Sequence, residues 1–126
     1  AVPIVTDAGV VEAARRVADE LRYEALLVTR GSRGMVLVER SREPVAIPVV
    51  GGADAIDVTG AGDTVIATYA LGLASGATYE EAANLANHAG GLVVMKRGTA
   101  TATREELLAS ILRWLPGRDA STEAED

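Results

Sequence analysis

Residues 57–64 read DVTGAGDT, and the apolar run VIATYALGLA follows at once. Two carboxylates, Asp57 and Asp63, flank two glycines around one alanine. A loop that enters a helix through Gly-Ala-Gly-Asp brings backbone N–H groups to one point. The first helical turn has donors without carbonyl partners and the positive end of the dipole, and glycine lets an anion approach the main chain. Gly60, Ala61, Gly62 and Asp63 therefore form a candidate anion nest. A tight strand-to-helix turn capped by Asp63 fits the same spacing. The stretch is not a GxxxxGKS/T loop, because no Lys follows and the spacing differs. Asp63 is the more informative residue. A carboxylate at the mouth of an anion hole repels a phosphate, but it suits a base that takes the proton from a hydroxyl attacking phosphorus. Such a base contributes about 10²–10⁴-fold.

Outward from this motif the chain divides into elements. Residues 8–21, AGVVEAARRVADEL, place Val10, Ala14, Val17, Ala18 and Leu21 on one helical face. ALLVT (25–29), MVLVE (35–39) and VAIPVV (45–50) read as strands, with the turn GSRG (31–34) between the first two. Pro48 pushes the third towards a sheet edge. GGADAI (51–56) is a loop leading into the motif. From Asp63 to Leu73 the pattern is apolar nearly all round, which predicts a buried helix. Thr78 with Glu81, and Thr103 with Glu106, are capping boxes that open two more helices. The first runs to about Met95 and ends at Lys96-Arg97-Gly98; the second carries Leu107, Leu108, Ile111, Leu112 and Leu115 and stops at Pro116-Gly117. The order α-β-β-β-α-α-α fits a three-layer α/β arrangement with a small sheet. The tail RDASTEAED (118–126) is expected to be disordered and acidic.

Composition excludes several function classes. The 126 residues carry a net charge of −6 and no basic stripe, so no nucleic-acid partner is expected. Without cysteine there is no disulfide framework or thiolate metal site, and the single histidine, His88, rules out a His-rich zinc site. No apolar run approaches a membrane span, so a soluble cytoplasmic chain without a membrane partner is expected. Phenylalanine is absent, so Val, Leu, Ile and Ala must fill the core.

DVTGAGDT, preceded by VTRGSRG (28–34) and followed by NHAGGLVVMKRGTA (87–100), resembles the ribokinase-like (phosphofructokinase-B type) sugar kinase family over roughly residues 8–115. Within it, ALLVTRGSRGMVLV, DVTGAGDTVIA and LVVMKRGTATATREEL look most like the kinase module of the heptose-7-phosphate kinase/ADP-heptose synthase group. The resemblance implies a three-layer α/β/α, Rossmann-like fold and an ATP-dependent kinase for a sugar or sugar-phosphate hydroxyl. By it, Asp63 is the catalytic base and Gly60, Ala61 and Gly62 lead the anion hole. Thr29, Gly31, Ser32 and Gly34 would follow the nucleotide, and Asn87 would lie beside the adenine. Asp57 and Thr59, with the backbone of Val93, Lys96 and Gly98, match a monovalent-cation site, typically for K+, and Mg2+ would travel with ATP.

Each residue also has a plainer reading. GSRG is an ordinary hairpin turn, Asn87 and His88 are capping or solvent-facing residues, and Asp57 caps its own loop. Lys96 and Arg97 suit a helix C-terminus, which leaves only the Lys96 carbonyl as a candidate ligand. Kinases of this family are at least about twice as long. The chain is therefore expected to be a C-terminal piece of the kinase domain (1–117), without most sugar-binding residues, the dimerising lid or the acidic Mg2+ motif. Unflanked strands and an exposed apolar face predict a homo-oligomer. A nucleotide-binding or assembly module without turnover is the rival reading.

Overall fold

The computed structural model describes residues 7–50 and 58–113. The chain runs α1 (Asp7–Leu21), β1 (Ala25–Thr29), a 3-10 turn (Gly31–Arg33), β2 (Met35–Glu39), β3 (Val45–Ile47), α2 (Ala61–Ala74), α3 (Tyr79–Val93) and α4 (Arg104–Arg113). The expected order of elements holds. The tail and the 51–56 loop lie outside the described residues, as does Asp57.

The three strands form one antiparallel sheet in the order β1-β2-β3, with Leu27 opposite Leu37 and Leu37 opposite Val45. Strand alternation sorts β2 onto two cores. Val36 and Val38 pack with Val10 and Ala14 of α1, joined by Leu26 and Val28 of β1. Met35 and Leu37 face the other way, onto Ile47, Ala83, Val65 and Tyr69. The result is three layers: α1, the sheet, then α2 with α3. Pro48 ends β3 after Ile47, so the strand is shorter than the 45–50 expected. With no N–H to give to a ladder, Pro48 can only leave the sheet at its edge.

Two expectations need correction. Val10, Ala14 and Ala18 are buried as expected, but Val17 is 41% and Leu21 56% exposed. Val10 and Ala14 are the α1 residues that pack on the sheet, and Val17 and Leu21 lie outside that contact. Helix α2 is not buried all round. Val65 and Tyr69 pack on the core, whereas Ile66 and Leu71 are 67% and 68% exposed. An apolar pattern without a polar face carries no information about which side will be covered.

Helices α2 and α3 meet through small residues. A Cβ on Gly72 would lie 3.1 Å from the Ala82 Cβ, and one on Gly90 would lie 2.9 Å from Val65 Cγ2. Ala82, Ala83, Ala86 and Ala89 are all buried along the α3 contact face. Both capping boxes are present. Glu81 N–H donates to Thr78 Oγ1 (3.1 Å) and Thr78 N–H to Glu81 Oε1 (3.0 Å), and Thr103 and Glu106 repeat the pattern at 3.1 Å each. His88 Nδ1 and Ser110 Oγ, 2.8 Å apart, tie α4 to α3.

Candidate active site

The GAGD turn opens α2. Gly60 is the N-cap, in the left-handed region at φ +76°, which favours glycine. The Ala61 N–H is engaged by the Val58 carbonyl at 3.2 Å, and Thr64 N–H makes the first helical bond, to the Gly60 carbonyl at 3.1 Å. Between them, the amides of Gly62 and Asp63 have no carbonyl of α2 to reach. The Ala61 amide thus has a partner within its own turn. Gly62 and Asp63 are exposed, and Asp63 sits in the first turn of the helix.

Gly62 differs from Gly60 and Gly34 among the described residues. Gly60 has its φ to account for it. Gly34 has φ +79°, and an added Cβ would run into the Ile47 carbonyl at 2.1 Å. Gly62 has neither reason: its φ is ordinary, and an added Cβ would meet nothing within 4 Å. Glycine in a helix costs about 0.5–1 kcal/mol relative to alanine. Neither conformation nor packing requires that cost here, and open access to the backbone is what glycine supplies.

The nucleotide candidates cluster at the turn between β1 and β2. Thr29 ends β1, and Gly31, Ser32 and Gly34 belong to the β1–β2 hairpin, closed by Arg30 N–H to the Gly34 carbonyl at 2.8 Å. The hairpin reading of GSRG is thus correct as geometry. Arg30 Nη1 donates to Asp7 Oδ1 at 2.6 Å, which ties the hairpin to α1. That hydrogen bond holds the Asp7 carboxyl below its usual range. Asn87 is buried, and its Nδ2 donates to the Pro48 carbonyl at 2.7 Å. Gly34 and Asn87 therefore meet the same strand exit, Gly34 beside Ile47 and Asn87 on Pro48. One turn further along α3, a Cβ on Gly91 would lie 2.7 Å from the Val50 carbonyl. The solvent-facing reading of Asn87 is overturned: it anchors residues 48–50 along α3.

Among the cation candidates, Val93 is the fully buried end of α3 and Thr59 lies in the turn before α2. Lys96 and Gly98 occupy the loop after α3, with Gly98 at φ +70°. This loop reaches the GAGD turn, since a Cβ on Gly60 would lie 3.4 Å from Thr99 Cγ2. Thr99 was not legible as a neighbour of Gly60, because nothing in the spacing joins positions 60 and 99. The Lys96 ammonium does not serve its own helix end. It donates to the Thr101 carbonyl (2.7 Å) and to the Glu106 carboxylate (2.8 Å). The described residues contain no cluster of three or more acidic or His residues that could hold a metal, and no helix among them is long and apolar enough to cross a membrane.

The sequence pattern of the pfkB family carbohydrate kinases matches residues 2–106. The chain belongs to that family. Its pfkB relatives include a bifunctional protein HldE of Nitrosococcus oceani, 46% identical over 105 residues, and one of Paramagnetospirillum magneticum, 49% identical over 108. These alignments cover 83% and 86% of this chain but 22% of each relative, so the chain spans about a fifth of their length. The fold is ribokinase-like. The ribokinase of Thermotoga maritima superposes with a TM-score of 0.76 at 29% identity, over 86% of this chain and 35% of that one. The ribokinase of Arabidopsis thaliana in complex with ribose and ATP gives 0.75 at 27%, with the same coverage. The phosphofructokinase-2 of Escherichia coli, at 20% identity, shares the fold with a TM-score of 0.78, over 88% of this chain and 35% of that one.

Proposed function

We propose that this chain carries the phosphoryl-transfer site of an ATP-dependent kinase for a sugar or sugar-phosphate hydroxyl, with D-glycero-D-manno-heptose 7-phosphate as the acceptor. The observation that carries the reading is Gly62, an exposed helical glycine next to Asp63 that neither φ nor packing requires. Its amide and that of Asp63 would hold the negative charge of the phosphoryl group. Asp63 would take the acceptor proton on a carboxylate oxygen, so that the alkoxide forms as it attacks. Thr29, Gly31, Ser32 and Gly34 would lie along the nucleotide, with Asn87 acting through the Pro48 segment it anchors. Thr59 and the carbonyls of Val93, Lys96 and Gly98 would hold K+, together with Asp57. Mg2+ bound with ATP would neutralise phosphate charge. The heptose acceptor follows from the sequence resemblance to the heptose-7-phosphate kinase group, and a cytoplasmic setting follows from the need for ATP.

The test is calorimetric titration of the chain with Mg-ATP in potassium buffer, followed by phosphoryl transfer to heptose 7-phosphate in the kinase that contains this segment. Asp63→Asn should leave nucleotide binding in place and cut transfer by about 10²-fold or more. Transfer at the parental rate would rule Asp63 out as the base. A second reading, a self-associating nucleotide-binding module without turnover, is favoured by the exposed apolar face of α2. Saturable Mg-ATP binding with no transfer to any sugar would select it.

A further inference from the structure

We propose that Lys96 and Glu106 form a clasp that presses the 97–102 loop against the GAGD turn and so positions Gly60–Asp63. The inference rests on the reading that this turn holds phosphate. Lys96 Nζ has two acceptors, the Thr101 carbonyl at 2.7 Å and the Glu106 carboxylate at 2.8 Å. That carboxylate also accepts the Thr103 N–H at 3.1 Å, while Glu106 N–H donates to Thr103 Oγ1 at 3.1 Å. One carboxylate thus fastens both ends of the loop: the residue three positions past α3 and the N-cap of α4. Within the loop, Gly98 turns the chain at φ +70°, and Thr99 stands over Gly60, with its Cγ2 3.4 Å from where a Gly60 Cβ would be. Gly60 is the left-handed N-cap that sets the direction in which α2 leaves the turn.

An exposed ion pair alone contributes little to stability. Here the two side chains are 34% and 36% exposed. The carboxylate is already immobilised by its capping box, so the ammonium that binds it adds loop order at small further entropic cost. Lys96 and Glu106 touch no substrate in this scheme. They are positioning residues, acting through Thr99 on the backbone of Gly60.

The experiment uses the full chain in four forms: parent, Lys96→Met, Lys96→Arg and Glu106→Gln. NMR-detected hydrogen exchange follows the hydrogen-bonded amides of Ala61 and Thr64, and calorimetry follows Mg-ATP. Lys96→Met should speed exchange at both amides about tenfold and weaken Mg-ATP by a similar factor. Lys96→Arg, which keeps a cationic donor, should restore both. Glu106→Gln keeps the capping geometry but loses the charge, and should fall between. If Lys96→Met lowers Tm and loosens residues 97–102 while Ala61 and Thr64 stay protected, the pair is structural only and the proposal fails. If the parent binds no Mg-ATP, the phosphate reading fails separately, and the exchange data still decide whether the clasp orders the turn.

Discussion

Gly62→Ala is the substitution on which stability and ligand binding should part. An alanine Cβ at this position would meet no atom within 4 Å, and the backbone conformation suits any L-residue. Replacing the glycine removes conformational freedom from the unfolded chain and should stabilise the fold by about 0.5–1 kcal/mol, or less in a first helical turn. For a chain of this size that is a rise in Tm of about 2–4 °C. Phosphate binding should move the other way. The methyl group would occupy space in front of the two open amides of the first turn, and losing one hydrogen bond to an anion costs about 1.5–3 kcal/mol. That converts to about a 10- to 150-fold weaker Kd for Mg-ATP. Thermal unfolding with and without Mg-ATP reads both effects on one sample: the ligand-free Tm should rise while the ligand-induced shift shrinks. An alanine variant that gains stability and still binds Mg-ATP as tightly as the parent would refute the inference from Gly62 to phosphate.

Other predictions follow from contacts described above. Asn87→Ala would leave the Pro48 carbonyl without its 2.7 Å donor in a part-buried setting, and should destabilise the fold by about 0.5–1.5 kcal/mol in urea unfolding. Burial holds the His88 pKa below 6.5, so the unfolded chain takes up the proton first. The stability this contributes is complete above pH 6.5 and is lost as pH falls through the folded-state value; His88→Gln should flatten that part of the pH profile. Exposed Ile66 and Leu71 predict self-association through α2, so Leu71→Glu should lower the mass seen by light scattering. A parent that stays monomeric at high concentration would remove the case for that interface.

What the sequence revealed depended on whether a feature is local. The two capping boxes and the strand at 35–39 are set within a few residues, and each could be read from one window, whereas β3 was expected to run on to residue 50 and stops before Pro48. The GAGD turn was legible for the same reason. Long-range contacts were not. The bond from Asn87 to Pro48 spans 39 positions, and the approach of Thr99 to Gly60 is equally distant along the chain. Lys96 illustrates the limit well. Its place after α3 suggested service to that helix, but folding brought a carboxylate ten positions further on within reach. For α2, a uniformly apolar pattern predicted burial on every side, and only the three-dimensional arrangement shows that α3 and the sheet cover one side alone.

The contact between α2 and α3 also governs how Asp63 can drift. Larger interlocking side chains can shift rotamers and let two helices slide by fractions of an ångström. Gly72 against Ala82 leaves little such play, because the methyl group of alanine has no rotamers to change. At Gly72 the helix bearing the carboxylate meets α3 almost backbone to backbone, like a shaft seated in a close-fitting bearing. Growth at either of these small positions would displace the first turn of α2 without touching the residues in it. A displacement of Asp63 could thus arise from a mutation about two and a half helical turns away, in a protein that still folds.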